Sequence, residues 1–370
     1  MLNTLTIKNY RLFNDFSIGA LARVNLIVGT NNSGKSSLLE AIHLLTSDDA
    51  RGSLLFILDE RGEFVSPVSE VRYGSPSGGY QISQIFNGRS ADIGNQLSIS
   101  ADKYSLQLML KRTRPLSNRD LIQLTFSDAL KKSEEDLSEE DLITSLIFER
   151  HKNGSEPEFD IVRVSEEGLL LERSPIRNRR LRSSGSRLIT TNYLNYNDLA
   201  RLWDNITLTP REDKVVEALQ ILEPHVERIS FTSRQTSNSG ILIRLSHTSE
   251  PIPLGSMGDG MRRILAIAAS LVSVEDGALL VDEIDTGLYY GVQKDMWRLV
   301  LETALRQNAQ VFATTHSWDC VRAFQQALAK FDEQNLGSLI RLDKVDDQIT
   351  AVTYSAQELD IAMAQGIEVR

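Results

Sequence analysis

The sequence predicts an α/β protein with a mostly parallel sheet and helices on its faces. Three observations lead to this fold class. Near the N-terminus, a strand-like segment runs through a glycine-rich turn into a helix-favouring segment. In the C-terminal third, strand-like and helix-like segments alternate, as they do where helices connect parallel strands. The middle of the chain differs in composition. We expect residues 90–228 to form a mostly helical insertion within one lobe made of residues 1–89 and 229–370.

The N-terminal segment is predicted to contain two strands and a helix. Leu5 and Ile7 alternate with polar residues, and residues 24–28 have the composition of a buried strand. Residues 37–45 then change to residue types that favour a helix. The turn that joins the second strand to this helix is therefore placed where a phosphate-binding loop would have to lie.

Residues 29–36, Gly-Thr-Asn-Asn-Ser-Gly-Lys-Ser, match the pattern G-x-x-x-x-G-K-[ST]. In such a loop the glycines let backbone N–H groups surround a triphosphate, and Lys35 adds positive charge at its outer oxygens. Ser36 would place a hydroxyl on Mg²⁺. The alternative, a polar turn with an incidental lysine, does not explain the flanking strand and helix. The predicted nucleotide contacts are Asn31, Asn32, Ser33, Gly34, Lys35, Ser36 and Ser37.

The C-terminal third is predicted to continue the sheet. We expect strands at 278–281, 310–314, 339–342 and 349–353, and helices at 261–272, 289–306 and 318–330. The first of these strands is apolar and is followed directly by Asp282 and Glu283. A solvated acidic cap would be an equally common explanation for such a pair alone. Beside a phosphate loop, the pair predicts Asp282 holding Mg²⁺ through water and Glu283 polarising the attacking water.

Two further motifs extend the predicted site. A turn rich in small residues, at 254–260, precedes the helix 261–272 and predicts a second anion site at a helix N-terminus. One nucleotide does not need two phosphate loops from one subunit, so this turn is predicted to serve a second copy. His316 directly follows a core strand and could donate to a γ-phosphate. The alternative for the turn is a plain loop without a ligand. The alternative for His316 is a histidine whose hydrogen bonds are satisfied within the core.

The order of these motifs resembles the ABC-type ATPases of the SMC, RecF and OLD (overcoming lysogenization defect) group. Residues 282–288, Asp-Glu-Ile-Asp-Thr-Gly-Leu, resemble the OLD-like members more than RecF, as do residues 202–207 and 217–231. The resemblance implies an ABC-type P-loop ATPase head with a mixed or mostly parallel sheet and an antiparallel subdomain. It also implies ATP and Mg²⁺ as ligands and a dimer that sandwiches the nucleotide.

The resemblance also implies individual roles. The catalytic residues would be Lys35, Glu283 and His316. Ser256 and Gly258 would contact the γ-phosphate bound to the other copy, Asp285 would lie at the dimer seam, and Arg11 would lie near the nucleotide.

The magnesium ligands under this resemblance would be Ser36, Asp282 and a glutamine, for which Gln84 is preferred over Gln81. The second turn departs from the family pattern, because Met257 and Asp259 stand where many members carry Gly and Gln or Glu. That departure predicts a weaker contact with nucleotide.

Composition indicates a cytoplasmic protein. The chain of 370 residues is 41% hydrophobic, and no apolar segment approaches the ~20 residues needed to span a bilayer. One cysteine, Cys320, excludes an internal disulfide.

The formal net charge of −10 argues against a generally basic surface for nucleic acid. A local basic run could still contact DNA. Its arginines are Arg173, Arg177, Arg179, Arg180, Arg182 and Arg187.

Three functional hypotheses follow. The first is a sensor or scaffold ATPase of a two-component antiphage defence system, similar to the ATPase subunit of PARIS-type systems, with a separate effector such as a TOPRIM nuclease. The motivation is an OLD-like motif set without the expected TOPRIM residues after His316. The second is a RecF-like, DNA-binding repair ATPase. The third, a scaffold that binds ATP without hydrolysis, is disfavoured by Glu283.

Overall fold

The computed structural model describes residues 1–65, 79–113, 142–152, 155–165, 168–169, 185–191, 196–232, 240–333 and 335–369. The chain divides into two compact units. The first comprises Met1–Asn3, Ile18–Asp48 and Ser183–Arg370, and the second comprises Thr4–Ser17 and Asp49–Arg182.

The described strands, in chain order, are β1 (Leu5–Tyr10), β2 (Phe13–Ile18), β3 (Val24–Gly29), β4 (Phe64–Val65), β5 (Gly79–Tyr80), β6 (Gln96–Ala101), β7 (Tyr104–Thr113), β8 (Ile143–Lys152), β9 (Glu158–Ser165), β10 (Gly168–Leu169), β11 (Ser186–Ile189), β12 (Val226–Phe231), β13 (Ile241–Leu245), β14 (Ile252–Pro253), β15 (Ala278–Val281), β16 (Gln310–Thr314), β17 (Gly337–Val345) and β18 (Gln348–Ser355).

The described α-helices are α1 (Lys35–Thr46), α2 (Ala50–Glu60), α3 (Tyr196–Ile206), α4 (Pro210–Leu219), α5 (Asp259–Ser273), α6 (Tyr290–Arg306), α7 (Trp318–Leu328) and α8 (Ala356–Ala364). Short 3-10 helices occupy Ile82–Ile85, Asn87–Arg89 and Leu254–Met257.

The first unit is built on a six-stranded sheet in the order β11-β15-β16-β3-β17-β18. Every neighbouring pair is parallel except β17 and β18, which form an antiparallel hairpin at one edge. Strands β15 and β16 are buried along their whole length, as expected where helices cover both faces of a parallel sheet. The predicted α/β fold class, a mostly parallel sheet with helices on its faces, is confirmed for this unit.

Helices α6 and α7 show why this sheet is stable. Both bury an apolar stripe, and Trp297 of α6 meets Phe324 of α7 with 4.7 Å between ring centroids. Burying one such large apolar side chain stabilises the fold by about 1.5–3 kcal/mol. Ser317 is the N-cap of helix α7, and its hydroxyl accepts a hydrogen bond from the backbone N–H of Cys320 at 3.2 Å.

The second unit is built on a nine-stranded sheet in the order β2-β1-β6-β7-β8-β9-β10-β5-β4. The central strands β6, β7, β8 and β9 pair antiparallel with their neighbours. In β7, Leu106, Leu108 and Leu110 are fully buried while the residues between them are partly exposed. This alternation is typical of a sheet that covers a core with one face.

The expectation of a mostly helical insertion is wrong for the described residues of 90–228. Strands β6 to β11 and the start of β12 lie there, beside only two helices, α3 and α4. The unit boundaries also differ from the predicted ones, since residues 183–228 belong to the first unit and residues 4–17 and 49–89 to the second. Apart from Arg187 in β11, the arginines of the basic run lie outside the described residues.

No helix among the described residues combines the length and the hydropathy required to cross a membrane.

Candidate active site

The phosphate loop joins β3 to α1, as predicted. The loop turns back because Gly29 (φ 144°), Asn32 (φ 60°) and Gly34 (φ 95°) adopt positive φ angles. At Gly29 a side chain is excluded, since a Cβ would lie 2.5 Å from the carbonyl oxygen of Leu342. Glycine at this position therefore lets the loop begin directly at the end of a central parallel strand.

Lys35 lies inside the loop. Its side-chain Nζ donates to the carbonyl oxygens of Gly29 and Thr30 at 2.9 and 2.8 Å. Burial lowers the pKa of Lys35, while the nearby carboxylates of Asp282 and Glu283 act in the opposite direction. Lys35 therefore places a cationic group inside the loop, where phosphate oxygens could replace the two carbonyl oxygens as its partners.

The other predicted loop residues lie around this lysine. Asn31 and Asn32 are exposed, whereas Ser33 and Ser37 are buried. The Ser33 hydroxyl has no hydrogen-bond partner among the described residues. The loop therefore presents exposed amide side chains outside and tightly packed serines beneath them.

Ser36 and Asp282 come together, although 246 positions separate them in the sequence. The Ser36 hydroxyl donates to Oδ2 of Asp282 at 2.7 Å. The other carboxylate oxygen, Oδ1, accepts from the hydroxyl of Thr314 at 2.6 Å. The side chain of Asp282 is thus fixed between α1 and the end of β16.

This donor set suits magnesium. Mg²⁺ prefers hard oxygen ligands and keeps several waters, so one hydroxyl and one carboxylate beside phosphate oxygens form an adequate site. Within the described residues, no cluster of three or more His, Cys, Asp or Glu side chains could hold a metal by itself. Ser36 and Asp282 would therefore hold the ion only together with a bound nucleotide.

Glu283 follows Asp282 in a left-handed backbone conformation, with φ 49°. Its backbone N–H donates to the Thr314 hydroxyl at 2.7 Å, and its carboxylate accepts from Thr286 at 3.2 Å. Such a conformation is uncommon for glutamate and persists only where the surroundings hold it. Here the left-handed conformation of Glu283 turns the chain after β15, so that the side chains of Asp282 and Glu283 point in different directions.

A buried arginine that sequence reasoning missed supports this turn. Arg263 of α5 is fully buried, and its guanidinium donates to the backbone carbonyls of Asp282, Glu283 (2.9 Å) and Thr190 (3.0 Å). In the sequence, Arg262 and Arg263 cannot be told apart. Only the position of Arg263 among the apolar residues of a predicted helix could have indicated it.

Asp285 and His316 lie at the ends of neighbouring segments. The Thr315 hydroxyl donates to Asp285 at 2.6 Å and accepts from the backbone N–H of Ser317 at 2.9 Å. His316, between them, is exposed. Both predicted residues therefore occupy the carboxyl-terminal edge of the sheet beside Asp282, the edge at which ligands bind in α/β proteins. Their roles toward a γ-phosphate or a dimer seam stay predictions.

The turn that contains Ser256 and Gly258 precedes α5. Both residues are exposed, and Gly258 has φ 89°. The start of α5, directly after the turn, packs closely against the loop after β15. A Cβ placed on Gly260 would lie only 2.8 Å from the carbonyl oxygen of Gly287. The predicted contact of Ser256 and Gly258 with a second nucleotide is not tested by one chain.

Arg11 and Gln84 belong to the second unit. Arg11 is buried, and its guanidinium makes two hydrogen bonds to the carboxylate of Glu63, at 2.7 and 3.1 Å. Gln84 lies in the 3-10 helix Ile82–Ile85. The predicted roles of both residues toward nucleotide and metal stay predictions.

Comparison with known proteins gives relatives at several levels of similarity. The chain is 21% identical to a Helicobacter pylori protein named ATP/GTP phosphatase, over 97% of each chain. It is 42% identical to an uncharacterized protein of Methanocaldococcus jannaschii, over 15% of this chain and 26% of the relative.

Two solved structures are similar at low identity. The SMC head domain from Thermotoga maritima is 16% identical, with 96% of this chain and 99% of that chain covered and a TM-score of 0.42. An Smc head domain from Pyrococcus furiosus, bound to the C-terminal domain of ScpA, is 13% identical, with 98% of each chain covered and a TM-score of 0.49.

A sequence model of the family described as "AAA domain, putative AbiEii toxin, Type IV TA system" matches residues 24–319. This range includes the phosphate loop, Asp282, Glu283 and His316 and is well over half of the 370 residues. The chain therefore belongs to this family of AAA-domain proteins.

Proposed function

We propose that this protein binds ATP with Mg²⁺ and hydrolyses it to ADP and phosphate. The observation that carries the proposal is the 2.7 Å contact between Ser36 and Asp282, which puts the end of the phosphate loop and the acidic strand end in one place. The name of the Helicobacter pylori relative, ATP/GTP phosphatase, and membership of an AAA family support it.

The residues of the site divide the work. Lys35 would exchange its two carbonyl contacts for phosphate oxygens, since a charge-assisted bond to an anion is stronger. Ser36 and Asp282 would hold Mg²⁺, which neutralises charge on the phosphates. Glu283 would accept a proton from the attacking water. The Thr314 hydroxyl hydrogen-bonds to the carboxylate of Asp282 and to the backbone N–H of Glu283, and so fixes the two acids relative to each other.

Two substitutions test this mechanism. Lys35→Ala should abolish nucleotide binding, because no other described cation lies inside the loop. Glu283→Gln should keep binding but lower turnover by about 10²–10⁴-fold, the range for loss of a general base. Binding is measured with a fluorescent ATP analogue and turnover by phosphate release. Normal hydrolysis by Glu283→Gln would show that another group activates the water.

We also propose that two copies sandwich the nucleotide. The support is the exposed turn at Ser256 and Gly258, which precedes a long helix and is tied to the loop after Glu283. In this arrangement the turn of one copy covers the triphosphate held by Lys35 of the other. ATP should therefore convert the Glu283→Gln variant into a dimer, which sedimentation measures. The turnover per chain of the wild type should also rise with protein concentration.

We propose that the biological role is that of a sensor or scaffold ATPase acting with a separate effector protein, such as a TOPRIM nuclease, in antiphage defence. The support is the resemblance of residues 282–288 to OLD-like ATPases. Co-purification of a neighbouring gene product from the native operon tests it, and an isolated gene without a partner counts against it.

The alternative role, DNA binding in recombination or repair, depends on arginines that lie outside the described residues except for Arg187. Changing Arg177, Arg179, Arg180 and Arg182 to glutamate should abolish salt-dependent duplex binding if that alternative holds.

A further inference from the structure

Strand β18 is an open edge of the six-stranded sheet. Among the described strands it pairs only with β17, and the register between the two runs without a break from Ser338–Ser355 to Val345–Gln348. Its eight residues, Gln-Ile-Thr-Ala-Val-Thr-Tyr-Ser, include no charged side chain. An edge strand leaves a row of backbone N–H and C=O groups free to pair with another strand, and most proteins protect their edges against this.

The other edge strands that the structure describes carry such protection. Strands β4 and β14 have two residues each, and β14 ends in Pro253. Strand β2 carries Asp15, and β11 has four residues, which include Arg187. Strand β12 carries Glu227 and Arg228 and has an irregular register beside them. Of the described edges, β18 alone is long, uncharged, regular and without proline, so it is the edge suited to receive a strand.

The turn before β18 determines which of its backbone groups face outward. Asp346 and Asp347 have φ angles of 48° and 62° and form a two-residue hairpin loop, in which positive φ at both positions is favoured. The residues that close the loop, Val345 and Gln348, are therefore a hydrogen-bonded pair. Hydrogen-bonded pairs alternate with non-hydrogen-bonded pairs along an antiparallel ladder, so every second residue of β18 directs its N–H and C=O away from β17.

The residues of β18 that face outward in this way are Ile349, Ala351, Thr353 and Ser355. The N–H of Ser355 is already bound, since it donates to the carboxylate of Glu358 at 2.8 Å. For the other three, the described residues outside β17 supply no backbone hydrogen-bond partner. Three N–H and three C=O groups are thus available to an antiparallel strand.

The sequence of β18 is complementary to itself about Ala351. In an antiparallel pair of two copies centred there, Ala351 faces Ala351 of the other copy and Ile349 faces Thr353, with two hydrogen bonds in each such pair. Between these pairs Thr350 faces Val352, which is 39% exposed in the single chain. β-Branched residues therefore face β-branched residues on both sides of a small residue, and no like charges meet.

We propose that β18 joins two copies of this chain edge to edge, with a two-fold axis at Ala351, so that two six-stranded sheets form one continuous sheet. A two-fold dimer brings the same surface of both copies together, which is the arrangement that a self-complementary strand allows. The backbone groups of β18 are present with or without nucleotide, so the contact is independent of the proposed nucleotide sandwich. Residues 349–353 cover much less than the ~800 Å² of a standard interface, and the dissociation constant should be roughly micromolar or weaker.

Sedimentation equilibrium of the full chain in EDTA, without nucleotide, tests the proposal. The wild type should form dimers as its concentration rises through about 10–500 μM. Ala351→Pro removes one outward N–H, which an edge strand tolerates, and should raise the dissociation constant at least tenfold. Ala351→Ser keeps the N–H and is the matched control, whose dissociation constant should stay within threefold of the wild type.

A charge exchange tests the position of the two-fold axis. Ala351→Lys and Ala351→Glu each place like charges opposite each other, so each variant alone should be monomeric. An equimolar mixture of the two should form a dimer, because opposite charges then meet. This rescue separates loss of the contact from loss of the fold, since a variant that had failed to fold would not be rescued.

Oxidative cross-linking measures the register. Ala351→Cys should form a disulfide between copies, because the Cα atoms of a hydrogen-bonded pair lie about 5.5 Å apart, within the range that a disulfide spans. Val352→Cys should react at least tenfold more slowly, since its two copies would be diagonal neighbours about 7–8 Å apart. The native Cys320 is buried.

Several results would overturn the inference. They are a wild type that stays monomeric throughout the concentration range, an unchanged dissociation constant in Ala351→Pro, a mixture of the charge variants that does not dimerise, and equal cross-linking of the two cysteine variants. If the backbone amides of Ile349 and Thr353 become protected from hydrogen exchange only when a different protein is added, the edge binds that protein and self-pairing is wrong. None of these measurements involves ATP, so the proposed ATPase activity is tested separately.

Discussion

At the scale of single residues, Thr314 connects Asp282 and Glu283, the acids of the proposed site. Its hydroxyl donates to Oδ1 of Asp282 and accepts from the N–H of Glu283, so one oxygen atom fixes the proposed metal ligand and the proposed general base together. Neither acid's side-chain position is set by its own strand, because β15 ends at Val281. The geometry of the site depends on the neighbouring strand β16.

Thr314→Val should therefore impair catalysis without removing a group that touches nucleotide. We expect turnover to fall about 10- to 100-fold, as is typical when a partner that orients a metal ligand is lost. Thr314→Ser keeps the hydroxyl and should retain most of the activity. The measurement is kcat at saturating ATP and Mg²⁺. If Thr314→Ser loses as much activity as Thr314→Val, the hydroxyl alone does not explain the effect and the argument fails.

His43 provides a pH-dependent contribution to stability. Burial, and next the positive charge of Arg187, lower its pKa from 6.5 to about 4. Above pH 6.5 the imidazole is neutral in both the folded and the unfolded chain, so His43 does not lower the free energy of unfolding there. As pH falls from 6.5 towards 4, the unfolded chain binds the proton first. This linkage removes about 3 kcal/mol of folding free energy across that window.

The prediction is checked by urea unfolding of the wild type, His43→Leu and His247→Leu at several pH values from 7 to 4. His43→Leu should lose the part of the pH dependence that wild type shows below pH 6.5. His247 is exposed, and its replacement should leave that dependence unchanged. A wild type whose stability is flat between pH 6.5 and 4.5 contradicts the assignment.

At the scale of elements, the connection from β3 to α1 allows little variation. A Cβ placed on Gly29 would lie 2.5 Å from the carbonyl oxygen of Leu342 in β17 and 2.8 Å from the hydroxyl oxygen of Ser33. The φ of 144° at Gly29 is also unfavourable for other residues. The position of the phosphate loop is thus set by the packing of β3 beside β17.

Gly29→Ala should consequently destabilise the protein by about 1–3 kcal/mol, the usual cost of overpacking, and should weaken ATP binding. Gly19→Ala is the matched control, since a Cβ there meets nothing within 4 Å. Chemical unfolding and nucleotide titration measure the two effects. If the variants are equally stable, the loop can move away from β17 and the packing argument fails.

At the scale of the whole molecule, the sequence predicts the parallel sheet much better than the antiparallel one. Strands β3, β15 and β16 are apolar and adjoin conspicuous motifs, so their positions follow within a residue or two. Strands β6 and β7 alternate between buried and more exposed residues, whereas β8 has four consecutive buried residues, so no single local pattern marks this sheet. Their pairing also depends on long-range contacts, such as β1 with β6, that local patterns do not specify.

The site shows the same limit. The predicted residues Lys35, Ser36, Asp282 and Glu283 do come together, because each is fixed by a short motif at a strand end. Thr314 and Arg263 escaped prediction, since each acts through backbone or side-chain contacts across the sheet. Short motifs therefore predict which candidate groups come together, while the tertiary structure shows what holds them.

Nucleotide binding should be measurable across the first unit as a whole. Any ligand that binds only the folded form stabilises it by RT ln(1 + [L]/Kd), about 2.7 kcal/mol at 100 times Kd. The slowest backbone amides of β3, β15 and β16, which exchange only when the sheet opens, should then exchange roughly 100-fold more slowly with ATP and Mg²⁺. Lys35→Ala should show no such slowing, and EDTA should reduce it in the wild type. Unchanged exchange at saturating ATP would mean that the six-stranded sheet opens without releasing nucleotide. That result is incompatible with a phosphate loop that begins at the end of β3 and packs against β17.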